Sequence, residues 1–199
     1  MVYAAVGVHP HNAENFERDA DGIHTLLRKE KVVAVGEIGL DYSRELVSRD
    51  VQRHAFDMQL AWAREFDLPV SVHNRDANED TLRAASLSGA RVVLHCFSSH
   101  KAFAVQALAA GFVLSFAGTV TFPRSHELRD VVAFVPDDSI LVETDSPVLA
   151  PQRRRGKRNE PAWIRDIVES VAAARSASVE SVADGVSRNA DSLFHWGVS

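Results

Sequence analysis

Six short apolar runs constrain the fold of this chain more than any other feature. They are rich in Val, Ile and Leu and nearly continuous rather than alternating in polarity, and they begin at Val2, Val32, Leu68, Arg91, Phe112 and Ile140. Strands have this composition when a parallel sheet is covered on both faces. Segments with helical periodicity separate the runs, so the repeated order of strand and helix predicts an α/β fold.

One of the intervening segments has a clear helical spacing. The apolar residues Val47, Val51, Ala55, Met58 and Trp62 follow one another at intervals of four, four, three and four residues. This spacing marks one face of an α helix. We therefore predict a helix here that buries this apolar face.

Composition limits the class of protein only broadly. The chain has 199 residues, and no linker-like or low-complexity stretch divides it, so we predict a single domain over residues 1–199. The formal net charge of −5 argues against bulk attraction to nucleic acid, so a polyanionic substrate would need a local basic patch or bound cations. A single cysteine, the lack of a membrane-length apolar run and the lack of a signal-peptide pattern favour the cytoplasm. They give no reason to expect a membrane or an obligate protein partner.

Polar side chains collect where the apolar runs end. In chain order these residues are His9 and His11, Glu37, His73, His95 and Asp145. In a parallel α/β barrel the carboxyl ends of all strands meet at one face, which carries the active site. Each residue alone has an ordinary explanation, since a histidine at a strand end is commonly hydrogen-bonded and an aspartate often caps the next helix. Together they predict a shared site.

Four of these residues, Glu37, His73, His95 and Asp145, have the chemistry of metal ligands. Two imidazoles and two carboxylates gathered in one pocket need a counter-charge, which a divalent cation supplies. Mixed imidazole and carboxylate ligands suit zinc, manganese or iron, and magnesium less well. Metals in such sites activate water for hydrolysis, and Asp145 could also take the proton from that water.

A basic segment follows Asp145 and favours an anionic substrate. The stretch "QRRRGKRNEP" contains Arg153, Arg154 and Arg155, here called the loop arginines. Beside a metal site they are expected to bind phosphate, and the alternative is a solvated basic loop. Three further candidates for contacts with the same anion are Arg75, His9 and His11.

Taken together, these motifs resemble the TatD family of metal-dependent deoxyribonucleases. The matching stretches are "GVHPH", "VGEIGLDY", "LPVSVHNRDA", "HCFSSH" and "ETDSPVLAPQRRRGKRNEP". The resemblance implies a TIM-type (β/α)8 barrel of the amidohydrolase-like kind, two divalent cations (magnesium, manganese or zinc) and phosphodiester hydrolysis, typically exonucleolytic on DNA. By motif match, Glu37 would bridge both cations, His73 and His95 would hold one, and Asp145 would hold the other. Glu37 and Asp145 would be the catalytic residues.

The start of the chain departs from that family pattern. The family's first strand ends in a His-x-His pair, whereas "VYAAVGVHPH" at the start of this chain matches the family's third strand. A closed barrel has eight strands, and the sequence supplies six apolar runs. We therefore expect an incomplete barrel that lacks its two N-terminal strands and is poorly soluble or inactive when expressed alone. The alternative is a complete chain with an open barrel.

Three functions remain open from the sequence. The leading one is a metal-dependent phosphodiesterase that acts on DNA. A second uses the same metals to hydrolyse a carboxylic ester, lactone or amide, because the fold alone does not select the substrate. A third is a non-catalytic remnant, favoured by the missing His-x-His pair. A metal titration separates them, since two tight sites indicate an enzyme and one or none indicates a remnant.

Overall fold

Strands and helices alternate along the chain as the apolar runs predict. A computed structural model describes residues 2–44 and 46–196. These residues form two units, one of residues 2–95 with 193–196 and one of residues 96–192. The strand pairs within each unit are parallel, so the predicted α/β class is confirmed.

The first unit contains a four-stranded parallel sheet in the order β1-β2-β3-β4. Its strands are β1 (Ala4–Val6), β2 (Val32–Asp41), β3 (Val70–Arg75) and β4 (Val92–Leu94). Its helices are α1 (Phe16–Leu26), α2 (Arg49–Glu65) and α3 (Asn78–Ser88), with a 3-10 helix at Pro10–Asn15 before α1. The centre of the sheet is fully buried at Val35, Ile38, Val70 and Val72. By contrast, β1 is exposed at Ala4 and Ala5, so the predicted burial on both faces is wrong for this strand.

The second unit contains the remaining two strands. β5 (Val113–Phe116) pairs in parallel with β6 (Ile140–Val142), so each of the six apolar runs contains one strand. Four α helices begin in this unit: α4 (Lys101–Ala109), α5 (His126–Phe134), α6 (Ile164–Arg175) and α7 (Val179–Phe194). Over residues 2–44 and 46–196, no helix combines the length and apolar character needed to cross a bilayer.

Helix α2 buries only part of the face that its apolar spacing predicts, since Ala55 and Trp62 are buried, as is Val47 just before the helix. Val51 and Met58 are 38% and 41% exposed, whereas Gln52 and Gln59 are 1% and 0% exposed. Gln59 Oε1 accepts a hydrogen bond from the Val8 N–H at 2.6 Å, and Gln59 Nε2 donates to the Val8 carbonyl at 3.2 Å. The glutamine therefore satisfies both backbone groups of the residue before His9.

Gln52 holds the end of β2 in the same way. The Asp41 N–H donates to Gln52 Oε1 at 2.8 Å, and Gln52 Nε2 donates to the carbonyls of Asp41 and Val47 at 2.9 and 2.8 Å. Buried backbone groups need partners once a strand leaves its ladder, and apolar side chains cannot supply them. The predicted apolar face is thus confirmed at Ala55 and Trp62 and wrong at Val51 and Met58.

We predict that Gln59→Leu lowers the free energy of unfolding, because it leaves the Val8 N–H and carbonyl buried without partners. Each unsatisfied group costs about 1–3 kcal/mol. Urea denaturation monitored by circular dichroism measures the change. The matched control is Gln106→Leu on the exposed side of α4, which should leave the midpoint almost unchanged. Equal midpoints for the two variants would contradict the role given to Gln59.

Candidate metal centre

Two adjacent strands of the first unit bring Glu37 and His73 together. The register of β2 against β3 shifts between Gly36 and Ile38, so Glu37 lies at an irregularity of the strand. Such bulges re-aim side chains and are common near functional sites. Two residues later, Gly39 pairs with His73 at a φ of +131°. A Cβ at Gly39 would collide with the His73 carbonyl oxygen, so only glycine allows this close approach.

One oxygen of Glu37 is surrounded by imidazoles. Glu37 Oε1 lies 2.9 Å from His73 Nδ1, 3.6 Å from His95 Nε2 and 3.8 Å from His9 Nε2. His95 directly follows β4, where its N–H donates to the Val72 carbonyl at 2.9 Å. The ligand atoms of His9, Glu37 and His73 all lie within 4.8 Å of one another, a spacing that could hold a metal ion.

Asp41 forms a second cluster beside the first. It is 3% exposed, and its Oδ2 lies 2.8 Å from His11 Nε2 and 3.1 Å from His73 Nε2. Its Oδ1 accepts hydrogen bonds from the N–H and the hydroxyl of Ser43 at 2.9 and 2.6 Å. Asp41 is not among the site residues predicted from the sequence. The signal that could have found it is a carboxylate at the end of the same apolar run as Glu37.

The pKa values keep the first cluster in the state that a cation requires. Burial raises the pKa of Glu37, but the close contact with His73 and the charges of His95, His73 and His9 outweigh it, so the pKa lies below its ordinary value. Burial lowers the pKa of His9 to about 4, against the attraction of Glu37. At neutral pH Glu37 is therefore an ionised carboxylate, the form in which a carboxylate binds a metal, and His9 is an uncharged imidazole.

Asp41 is ionised as well. Burial opposes its ionisation, but the hydrogen bonds with Ser43, His11 and His73 together hold the pKa of Asp41 well below its ordinary range. His73 thus lies between two ionised carboxylates, with one ring nitrogen facing each.

The contacts of His73 test whether a cation fits this site. A neutral imidazole has one N–H, so it can donate to only one of its two carboxylate neighbours, Glu37 and Asp41. The other ring nitrogen presents a lone pair to an ionised oxygen. That contact is unfavourable without positive charge between the two atoms, which a second ring proton or a cation would supply. Imidazole and carboxylate donors are those of zinc, manganese and iron sites, so the residues present fit a divalent metal.

Two further predicted site residues lie at the ends of other strands. Arg75 is the exposed last residue of β3 and pairs with Asp41 in register. Asp145 belongs to the second unit, three residues after β6, with a φ of +59°. Its carbonyl accepts a hydrogen bond from the Val148 N–H at 2.9 Å.

Two of the loop arginines pair with acidic residues of α6. Arg153 lies 2.7 Å from Glu169 and 3.5 Å from Asp166, and Arg154 lies 3.9 Å from Asp166. The two arginine side chains are 72% and 47% exposed. Because the arginine side chains of these pairs are exposed, a phosphate could replace the carboxylates as their partner.

Two of the loop arginines also lie over aromatic rings. The guanidinium of Arg155 lies 4.1 Å from the ring centre of Phe122, and that of Arg154 lies 5.6 Å from the ring centre of Trp163. Stacking fixes the orientation of a guanidinium while leaving its N–H edge free to bind phosphate. The loop therefore combines positive charge with flat apolar surface.

Comparison with known proteins identifies the family. A family model described as TatD related DNase matches residues 1–195. A Bacillus subtilis (strain 168) protein named uncharacterized metal-dependent hydrolase YabD is 40% identical over 198 residues, which cover 98% of this chain and 78% of that protein. The 3'-5' ssDNA/RNA exonuclease TatD of Pantoea vagans (strain C9-1) is 37% identical over 203 residues, which cover 96% of this chain and 77% of that protein.

The fold agrees with this assignment. The crystal structure of YjjV, a TatD homolog from Escherichia coli K12, superposes with a TM-score of 0.86 at 31% identity, covering 98% of this chain and 77% of that one. The α/β fold is thus close to that of known TatD structures. The chain therefore belongs to the TatD-related DNase family and is a metal-dependent hydrolase.

Proposed function

We propose that this hydrolase cleaves phosphodiester bonds of DNA, as an exonuclease. The observation that supports this most directly is the convergence of His73, His95 and His9 on Glu37 Oε1. It occurs in a chain whose relative from Pantoea vagans is named an exonuclease acting on single-stranded DNA and RNA.

Two divalent cations, magnesium, manganese or zinc, complete the proposed site. Glu37, His73 and His95 would hold one, and Asp145 would hold the other, with Glu37 shared between them. When bound, the cations would polarise a phosphoryl oxygen and lower the pKa of water. Glu37 suits the shared position because a carboxylate has two oxygens, of which Oε1 faces the imidazoles.

Asp145 is the proposed general base. A carboxylate oxygen of Asp145 takes the proton from the attacking water, which makes the oxygen of that water a better nucleophile. The position of Asp145 in the loop after β6 is where barrel enzymes carry such residues.

The chain's own cationic and N–H groups would orient the substrate. The loop arginines and Arg75 are proposed to bind phosphate oxygens, with their exposed N–H edges as donors. His9 Nδ1 accepts the His11 N–H at 3.1 Å, so a neutral His9 carries its proton on Nε2. We propose that His9 donates this proton to a phosphate oxygen rather than acting as a cation. The Nε2 atom of His11 already contacts Asp41, so only its Nδ1 atom could contact phosphate.

Metal counting is the first test. We predict two tight sites for Mn²⁺ by isothermal titration and elemental analysis, and we predict that Glu37→Gln removes both because it removes the shared ligand. The matched control is Glu65→Gln, a carboxylate on α2 that is 48% exposed and pairs with His24. One site or none in the unmodified chain would support a non-catalytic remnant instead.

Asp145→Asn tests the chemical step. The variant loses the proposed base, so we predict a fall in kcat of about 10²–10⁴-fold on end-labelled single-stranded DNA, with DNA affinity by fluorescence anisotropy largely retained. Asp138→Asn, which removes an exposed carboxylate just before β6, is the control. Unchanged turnover in Asp145→Asn would exclude the assigned role.

Neutralising the loop arginines tests the choice of phosphate over a carboxylic ester, lactone or amide. The triple change of Arg153, Arg154 and Arg155 to Gln should weaken binding of single-stranded DNA. The slope of log K against log salt concentration, where K is the association constant for DNA, should also become less negative by about 2. Arg165→Gln with Arg188→Gln, which removes exposed arginines of α6 and α7, should leave the slope unchanged. If the triple variant also kept its slope, the loop would be a solvated surface.

A further inference from the structure

The imidazole of His73 lies between two carboxylates and, when neutral, has one N–H that can donate to only one of them. Its Nδ1 lies 2.9 Å from Glu37 Oε1, and its Nε2 lies 3.1 Å from Asp41 Oδ2. A neutral imidazole donates through one nitrogen and accepts through the other. The nitrogen without the proton is the one that can bind a metal, so the tautomer decides which carboxylate the metal lies beside.

The surroundings of Asp41 favour a proton on His73 Nε2. Asp41 Oδ1 accepts two hydrogen bonds from Ser43, at 2.9 and 2.6 Å, and Oδ2 lies 2.8 Å from His11 Nε2. An ionised carboxylate has about four acceptor sites and no donor. The contact with His73 Nε2 is the fourth around this carboxylate, and Asp41 is 3% exposed. Two donors from Ser43 and two imidazole nitrogens therefore surround Asp41, and the ligand atoms of His11, Asp41 and His73 are also close enough together to hold an ion. Because Ser43 already occupies Oδ1, we expect Oδ2 to accept from the imidazoles rather than to bind a cation.

The backbone of Asp41 is held as firmly as its side chain. Gln52, which is 1% exposed, accepts from the Asp41 N–H at 2.8 Å and donates to the Asp41 carbonyl at 2.9 Å. The carboxylate is thus anchored at both ends, by Gln52 on the main chain and by Ser43 on Oδ1. A group fixed in this way can orient a neighbouring ring.

We infer that Asp41 is a positioning residue that accepts the Nε2 proton of His73 and so presents the Nδ1 lone pair of His73 beside Glu37 Oε1. The inference deepens the proposed function, because Nδ1 is then the atom offered to the cation at Glu37. Metal-binding histidines commonly donate their other ring N–H to a carboxylate, which sets both tautomer and ring orientation. Asp41 supplies no ligand atom of its own.

Asp41→Asn replaces one of the two accepting oxygens of the carboxylate with a donating NH₂ group, and the shape of the side chain hardly changes. The amide oxygen is expected at the position of Oδ1, where the Ser43 donors require an acceptor, so the NH₂ group faces His73. His73 Nε2 must then accept a hydrogen bond, and the ring proton moves to Nδ1, where it points at Glu37. This nitrogen can no longer bind a cation without losing its proton.

Nitrogen-15 NMR of the metal-free protein reads the tautomer directly. It is recorded at a pH alkaline enough to leave one proton on the ring of His73. We expect the proton on Nε2 in the unmodified chain and on Nδ1 in Asp41→Asn. We also expect Asp41→Asn to bind Zn²⁺ about 10–100-fold more weakly at the proposed site of His73, with the number of bound ions unchanged. The matched control is Asp80→Asn in the same unit, whose carboxylate accepts from Tyr42 at 2.7 Å and should affect neither measurement.

Two results would overturn the inference. One is a proton on Nδ1 of His73 in the unmodified chain, which needs no variant and decides the matter even if Asp41→Asn does not fold. The other is loss of one bound Zn²⁺ in Asp41→Asn, which would make Asp41 and His11 ligands of an ion of their own. Both measurements are independent of catalysis. If the chain shows the Nε2 tautomer but does not hydrolyse DNA, the proposed function fails and the positioning role stands.

Discussion

The contact between His73 and two ionised carboxylates is the interaction on which the rest of the site depends. Glu37 and Asp41 both lie on β2, and each approaches one nitrogen of the same imidazole. Carboxylates this close are tolerated only where donors or cations compensate them, since burial of an unpaired charge is strongly unfavourable. Three imidazoles surround Glu37, whereas Asp41 has two Ser43 donors on Oδ1 and two imidazole nitrogens near Oδ2.

Around this contact, buried side chains of α2 form hydrogen bonds to backbone groups as well as burying apolar surface. Gln52 and Gln59 lie seven residues apart on α2, and each binds both backbone groups of one residue at a strand end. One of these residues precedes His9 and the other is Asp41. Gly39 allows β2 to approach the carbonyl of His73. These details set the positions of the imidazoles and carboxylates to within the short distances that metal binding requires.

Charge explains how an acidic chain could act on a polyanion. The net charge is −5, so long-range attraction to DNA is weak, and any attraction has to be local. The proposed cations and the loop arginines are local positive charges of this kind. Arg153 and Arg154 pair with carboxylates of α6 in this structure, and a phosphate could replace those carboxylates.

The sequence by itself determined the alternation of six strands with helices, the TatD resemblance and the polar residues at the strand ends. Hydrophobic periodicity and local motifs carry this information because they reflect burial and chain-local chemistry. Only the tertiary structure decided that Asp41 joins His73, that His9 Nδ1 accepts a backbone proton, and that α2 buries glutamines instead of Val51 and Met58. The physical reason is that hydrogen-bond partners depend on which groups come close together in the folded chain. A periodic pattern shows which side chains avoid water, but it does not show which backbone groups and ring nitrogens will lack a partner until the strands and helices are packed.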